Sequence, residues 1–215
     1  MVFKSKLKKL IASQRGVVGV VEILVIVVVL GGLGFAGYKV MQNQKSKKST
    51  SEVTKQEEPK AAVKLSAKAY ENKDLGLTFT PPEGWVESQG GGVVVGFTNP
   101  QKDKQGDVEL AAGINIAVEQ VGKIGLDEYI VAAEKVLATF TDYKQVSKKS
   151  ITLSDQTPAF VLESTFKQDN YPVHGRQVVV VQGGVAYILS AVTLSEKWTY
   201  YQPLLEASQN TFKSL

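Results

Sequence analysis

The sequence predicts an α+β fold, an antiparallel sheet with packed helices (an αβα arrangement), preceded by a single transmembrane helix. Three observations carry this prediction. An apolar run from Val17 to Tyr38 is long enough to cross a hydrocarbon core. Apolar residues alternate with period two from Val108 to Val118, the mark of a long strand with one covered face. Beyond residue 69 the elements run strands, helix, strands, helix with short connections, which is the order of an α+β chain.

The apolar run is taken first. As a helix its 22 residues rise about 33 Å at ~1.5 Å each, against a hydrocarbon core of ~30 Å. The β-branched-rich stretch Ile23–Val29 disfavours a helix in water, but in lipid the backbone must satisfy itself. Tyr38 and Lys39 close the span with an interfacial aromatic and a cation. The run is too long for an ordinary cleaved signal peptide, and no A-x-A site follows it. The organisation expected is a basic tail at 1–15, a span segment at 16–41 with lipid bilayer around 17–38, a linker at 42–68 and a folded domain at 69–215.

Charge divides along the same lines. The chain carries a formal +4, yet residues 1–68 hold 13 Lys+Arg against 4 Asp+Glu, while residues 69–215 hold 12 against 17. Basicity therefore accompanies the apolar run, where it suits anionic headgroups. The mildly acidic remainder lacks the basic face that neutralising phosphates demands, so no nucleic-acid partner is expected. The absence of cysteine removes disulfides, thiolate nucleophiles and Cys-type zinc sites together.

Five basic residues precede the span (Lys4, Lys6, Lys8, Lys9, Arg15) and five follow it (Lys39, Lys45, Lys47, Lys48, Lys55), a tie on the positive-inside count. A short basic tail more often stays inside, which places residues 69–215 outside the cytoplasm. The expected location is the cell membrane of a bacterium, crossed once.

Within the span stands one acid, Glu22. At the centre of a span a carboxylate costs ~2.5–3.5 kcal/mol, and less near an end. Glu22 lies near the Arg15 end, so one reading has it snorkel to the interface or lose its charge. The other is a resemblance: in "SQRGVVGVVE" a basic leader, a Gly and an apolar helix with an early Glu resemble a type IV prepilin N-terminus. That resemblance implies cleavage after Gly16, a mature chain starting at Val17, and a Glu22 that pairs with a neighbouring subunit. Cut there, Glu22 becomes the sixth mature residue where the family has its acid at the fifth. Both readings stay open.

From Gln42 to Lys68 the chain is polar, Lys-rich and without aromatics, and it cannot bury enough apolar surface to fold. Beyond it come a short alternating strand at Leu75–Thr80, a turn at Pro81, Pro82 and Gly84, and a strand in "GGVVVGFTNP" ended by Asn99-Pro100. Leu126, Tyr129, Ile130, Ala133, Leu137 and Phe140 form one stripe of a helix with Asp127 and Glu128 in its first turn. Strands follow near Lys149–Leu153, Ala159–Phe166, Arg176–Gln182 and Val185–Leu194, the last two joined by Gly183-Gly184 as a tight hairpin. A closing helix has Ser195 as its cap, and Pro203 either kinks it or marks its true start.

At this point "YENKDLGLTFTPPEGW", "FTNP", "GLDEYI", "TPAFVLESTF", "RQVVVVQGGVAYILSAV" and "YYQPLLEASQNTFKSL" resemble the PsbP-like (Mog/PsbP) domain family over about residues 70–215. The resemblance implies a non-catalytic, often extracytoplasmic binding or assembly module, with a protein or small ligand of unknown identity as partner. It implies no cofactor and no metal ligands that match here.

A search for chemistry agrees. His174 in "NYPVHGR" is the single histidine, and without a nucleophile elbow beside it an exposed strand-end residue is expected. Asp103, Asp107 and Glu109 lack calcium-loop spacing and read as a hairpin tip. Trp198, Tyr200 and Tyr201 read as core and interface packing. The chain is not expected to be an enzyme.

Overall fold

The computed structural model describes residues 60–90, 92–106, 108–168 and 171–215. The predicted span at 17–38, and with it Gly16, Val17 and Glu22, lies outside the described residues. Among the described residues no helix is long and apolar enough to cross a membrane.

Among the described residues ten strands form two sheets, with two α-helices packed on the larger one. Strands β1 (Tyr70–Asn72), β2 (Leu77–Phe79) and β10 (Lys213–Ser214) make a small sheet in the order β1-β2-β10. The large sheet holds β3 (Val86–Gly90), β4 (Val93–Gln105), β5 (Val108–Gln120), β6 (Lys144–Thr152), β7 (Pro158–Gln168), β8 (Tyr171–Gln182) and β9 (Val185–Leu194), in the order β3-β4-β5-β9-β8-β7-β6. Every pairing is antiparallel. The architecture is two meanders, β3-β4-β5 and β6-β7-β8-β9, joined through β5–β9. Helix α1 (Leu126–Leu137) connects them, and helix α2 (Trp198–Gln209) follows β9.

Both faces of the large sheet are covered. On one face α2 and the small sheet bury Leu77, Phe79, Ile114, Ile116, Val178, Leu189, Leu205 and Phe212 in a single cluster. On the other, α1 lays Tyr129, Ile130, Ala133 and Leu137 over Ala117, Val179 and Ile188. The predicted helical stripe is thus the buried one, and α1 ends at Leu137 with Phe140 in the turn beyond. All ten residues of β9 are buried, as the central strand of a sheet covered on both sides must be. The one-covered-face reading of β5 is corrected by the same fact, since Asn115 and Ala117 on its second face are buried too.

Several boundaries differ from expectation for identifiable reasons. β4 does not stop at Asn99-Pro100 but runs to Gln105. The register shifts between Thr98 and Lys102, and in that bulge Pro100 removes no ladder bond, while Asn99 Oδ1 accepts the Gln101 N–H at 3.0 Å. Ser195 caps nothing: it opens a 3-10 turn, Ser195–Lys197, and α2 begins at Trp198 with no side-chain cap. Pro203 does not mark the start of the helix; it sits inside α2, where packing of Trp198, Tyr201, Leu204 and Leu205 on the sheet offsets the lost backbone bond. Gly183 and Gly184 turn the β8–β9 hairpin with φ of +60° and +79°, as the tight hairpin requires. A Cβ on Gly184 would stand 2.7 Å from the Gly122 carbonyl oxygen, so the hairpin tip must also be glycine to dock there.

Residues 60–68, within the stretch whose composition reads as linker, run along the domain. The Ala61 N–H donates to the Tyr200 carbonyl at 2.8 Å, Glu83 N–H to the Lys64 carbonyl at 3.0 Å, and Ser66 N–H to the Pro81 carbonyl at 2.9 Å.

Candidate functional site

The α2-facing side of β7 and β8 carries charge into the core. Alternation puts Ala159, Val161 and Glu163 of β7 on one face, and His174, Arg176, Val178 and Val180 of β8 on the same face. Register then sets Glu163 directly opposite Arg176. His174 Nε2 lies 2.8 Å from Glu163 Oε1, and its ring stacks on Trp198 at a centroid distance of 4.1 Å and an interplanar angle of 6°. The second Glu163 oxygen accepts the Ser147 hydroxyl at 3.3 Å. Arg176 donates through Nη1 to Gln209 Oε1 and sits 3.4 Å from Glu206 through Nε. Gln209 Nε2 in turn donates to the carbonyls of Arg176 (3.0 Å) and Leu189 (2.8 Å), so α2 is bolted to the sheet by one amide.

The lone histidine is therefore not exposed at a strand end, as expected from sequence; it is buried, with 7% of its surface accessible. Burial pulls its pKa below the ordinary 6.5, and hydrogen bonding and attraction from Glu163 work the other way. The pair superficially resembles a catalytic dyad. Yet one ring face is closed by Trp198, and the glutamate that would orient a base also serves Ser147 and faces Arg176. The arrangement fixes a helix to a sheet. Glu163, Arg176, Glu206 and Gln209 were missed by sequence reasoning, although the phase of "AFVLESTF" and "VHGRQVVVV" already set Glu163, His174 and Arg176 on a core-facing row.

On the opposite face, at the far end of the sheet, Glu119 of β5 lies beneath α1. Tyr129 donates its hydroxyl to Glu119 Oε2 at 2.9 Å, while Glu119 Oε1 is buried without a hydrogen-bond partner. Burial pushes the Glu119 carboxyl up to about 7, opposed by the tyrosine bond, and raises the Tyr129 hydroxyl as well.

A concave surface lies elsewhere. An open groove of about 640 Å³ lies between Glu71, Lys73 and Gly76 of the small-sheet region, the Gln182–Gly183 turn, Val185 and Tyr187 of β9, and Ser214 and Leu215. Tyr187 crosses beneath it to donate to the Leu75 carbonyl at 3.1 Å. None of the buried charges under α2 lines this groove. Among the described residues no three His, Asp or Glu side chains converge as a metal site. The β4–β5 hairpin expected around Asp103 and Glu109 is present, its tip tied by Lys104 and Glu109 at 2.6 Å; Asp107 lies outside the described residues.

These features define a class: an antiparallel α+β sandwich in which seven strands lie between one helix on one face and a helix plus a small sheet on the other. The PsbP family model matches residues 66–214, and the chain belongs to the PsbP family. The solved structures agree on the fold. Cyanobacterial PsbP (CyanoP) from Synechocystis sp. PCC 6803 superposes with a TM-score of 0.53 at 15% identity, covering 72% of this chain and 95% of that one. LpqN of Mycobacterium tuberculosis, described as involved in cell envelope biogenesis, gives 0.53 at 14% identity, covering 69% and 90%. No curated protein matches the chain.

Proposed function

We propose that this protein is a membrane-anchored, extracytoplasmic binding or assembly module whose PsbP domain performs no catalysis. The observation that carries the reading is the use made of the single histidine: stacked on Trp198 and held by Glu163, it is a packing element. Membership of the PsbP family and the fold of CyanoP and LpqN support a domain that works by contact. The apolar run 17–38, with the basic residues around it, supports the anchor, and the groove beside Tyr187 is the surface a small ligand or peptide would use.

The test is the state of the chain in its native membrane: alkaline extraction, followed by intact mass. A chain that resists extraction and begins at Met1 or Val2 is the expected result. A chain beginning at Val17 would replace this reading with a pilin-like subunit, cleaved after Gly16 and assembled through its apolar helix and Glu22. Release into the alkaline wash would overturn both.

A further inference from the structure

Of the six large apolar side chains exposed among the described residues, two meet at one pole of the domain: Val63 and Tyr200. The backbone bonds that seat residues 60–68 bring them together, since Val63 lies between Ala61, bonded to Tyr200, and Lys64, bonded to Glu83. Beside them the half-buried Trp85 ring meets Tyr201 edge-on at 6.4 Å, and Tyr201 meets Tyr200 at 4.8 Å. The pole is thus an aromatic cluster flanked by Val63, with Lys60, Lys64 and Lys68 exposed along it and Glu83 and Glu87 the nearby carboxylates, in the turn before β3 and on β3.

This is also the pole at which the chain leaves for its predicted span. Only 18 residues, Gln42 to Pro59, separate the span segment from Lys60. As a coil that length reaches on the order of 20–25 Å. Tryptophan and tyrosine favour the membrane–water boundary, where an apolar ring and a polar edge are both satisfied. Each lysine near an anionic surface adds electrostatic attraction to it.

We propose that this pole, formed by Val63, Trp85 and Tyr200 with Lys60, Lys64 and Lys68, rests on an anionic lipid surface, so that the domain lies against its own membrane with the groove at Tyr187 left free. The proposal rests on the anchoring reading above. Its test uses the full chain reconstituted into vesicles of brominated phosphatidylcholine and phosphatidylglycerol. The chain has two tryptophans, and Trp198, the first residue of α2, is buried, so quenching by lipid bromine reports on Trp85. The expected result is a loss of tryptophan emission relative to unbrominated vesicles, absent in Trp85→Phe. It should also be absent in a Val63→Glu variant that still floats with the vesicles; Val63 is exposed, so folding is spared. Unchanged emission in a chain that floats would overturn the proposal and leave the anchor standing. A chain that fails to float would overturn the anchor, and the proposal with it.

Discussion

The two faces of the large sheet bury polar groups by opposite means. Under α2 the charges come with partners: Glu163 has His174, Ser147 and Arg176 around it, and Arg176 has Gln209 and Glu206. On the α1 side of the sheet the buried polar groups include the neutral row Asn115, Ser190 and Gln177 across three adjacent strands, and beneath α1 a carboxylate, Glu119, receives a tyrosine hydroxyl. A charge removed from water must be paired or must titrate. The first face pairs its charges and so binds a helix in one register. The second shifts its one acid toward neutrality.

The largest break in this comparison comes from Arg176. Removing one member of a buried charge network leaves the rest uncompensated, at a cost of ~3–5 kcal/mol. Arg176→Ala should therefore lower stability by about that amount, because Gln209 Oε1 loses its donor and Glu163 its facing cation. Urea unfolding should show a lower midpoint at unchanged slope. A loss under ~1 kcal/mol would put the network in the range of surface ion pairs and erase the contrast between the faces.

That contrast was only partly legible in the sequence. The α+β class, the α1 stripe, the β8–β9 hairpin and the long β5 all followed from periodicity and glycine placement, which are local signals. What failed was non-local. β1 and β10 are three and two residues long, too short to carry a pattern, and exist because each pairs with β2. β4 continues through a proline because its ladder shifts there. The α2 network needed the knowledge that Glu163, Arg176 and Gln209 meet, and Gln209 lies 33 residues from Arg176. The polar face of β5 looked solvent-facing because Asn115 and Glu119 punctuate it, yet Asn115 is buried and Glu119 is half-buried against Tyr129 of α1.

Glu119 gives the next effect in size. Its folded pKa of about 7 stands above the ordinary 4.5, so the folded state holds the proton more tightly than the unfolded chain. The stability this contributes is fully present below 4.5 and is lost as pH rises toward 7. Glu119→Gln keeps an oxygen for the Tyr129 hydroxyl and removes the charge. The variant should be more stable than the parent at pH 8 by roughly 1–3 kcal/mol, with the difference vanishing near pH 4. Thermal melts across pH 4–8 check it. Parallel curves for the two proteins would mean that Glu119 is ionised and solvated, and that the α1 face handles its acid no differently from a surface one.

His174 sharpens the comparison most finely, and because it is the only histidine its imidazole protons can be followed by NMR without assignment. Burial is the larger influence, so the midpoint should fall below 6.5 in the parent. Glu163→Gln removes the attraction that opposes burial and should push the midpoint lower still. The sign for stability follows: the unfolded chain binds this proton more readily, so stability falls as pH drops below 6.5 and levels off beneath the folded value. A midpoint above 6.5 would reverse the order of the two influences. The imidazolium would then be held by Glu163 and by the face of Trp198, and the α2 side would pair even its weakest base as a cation. In that case the division between the faces would be complete, with His174 held as a cation under α2 and the acid under α1 largely neutral at pH 6.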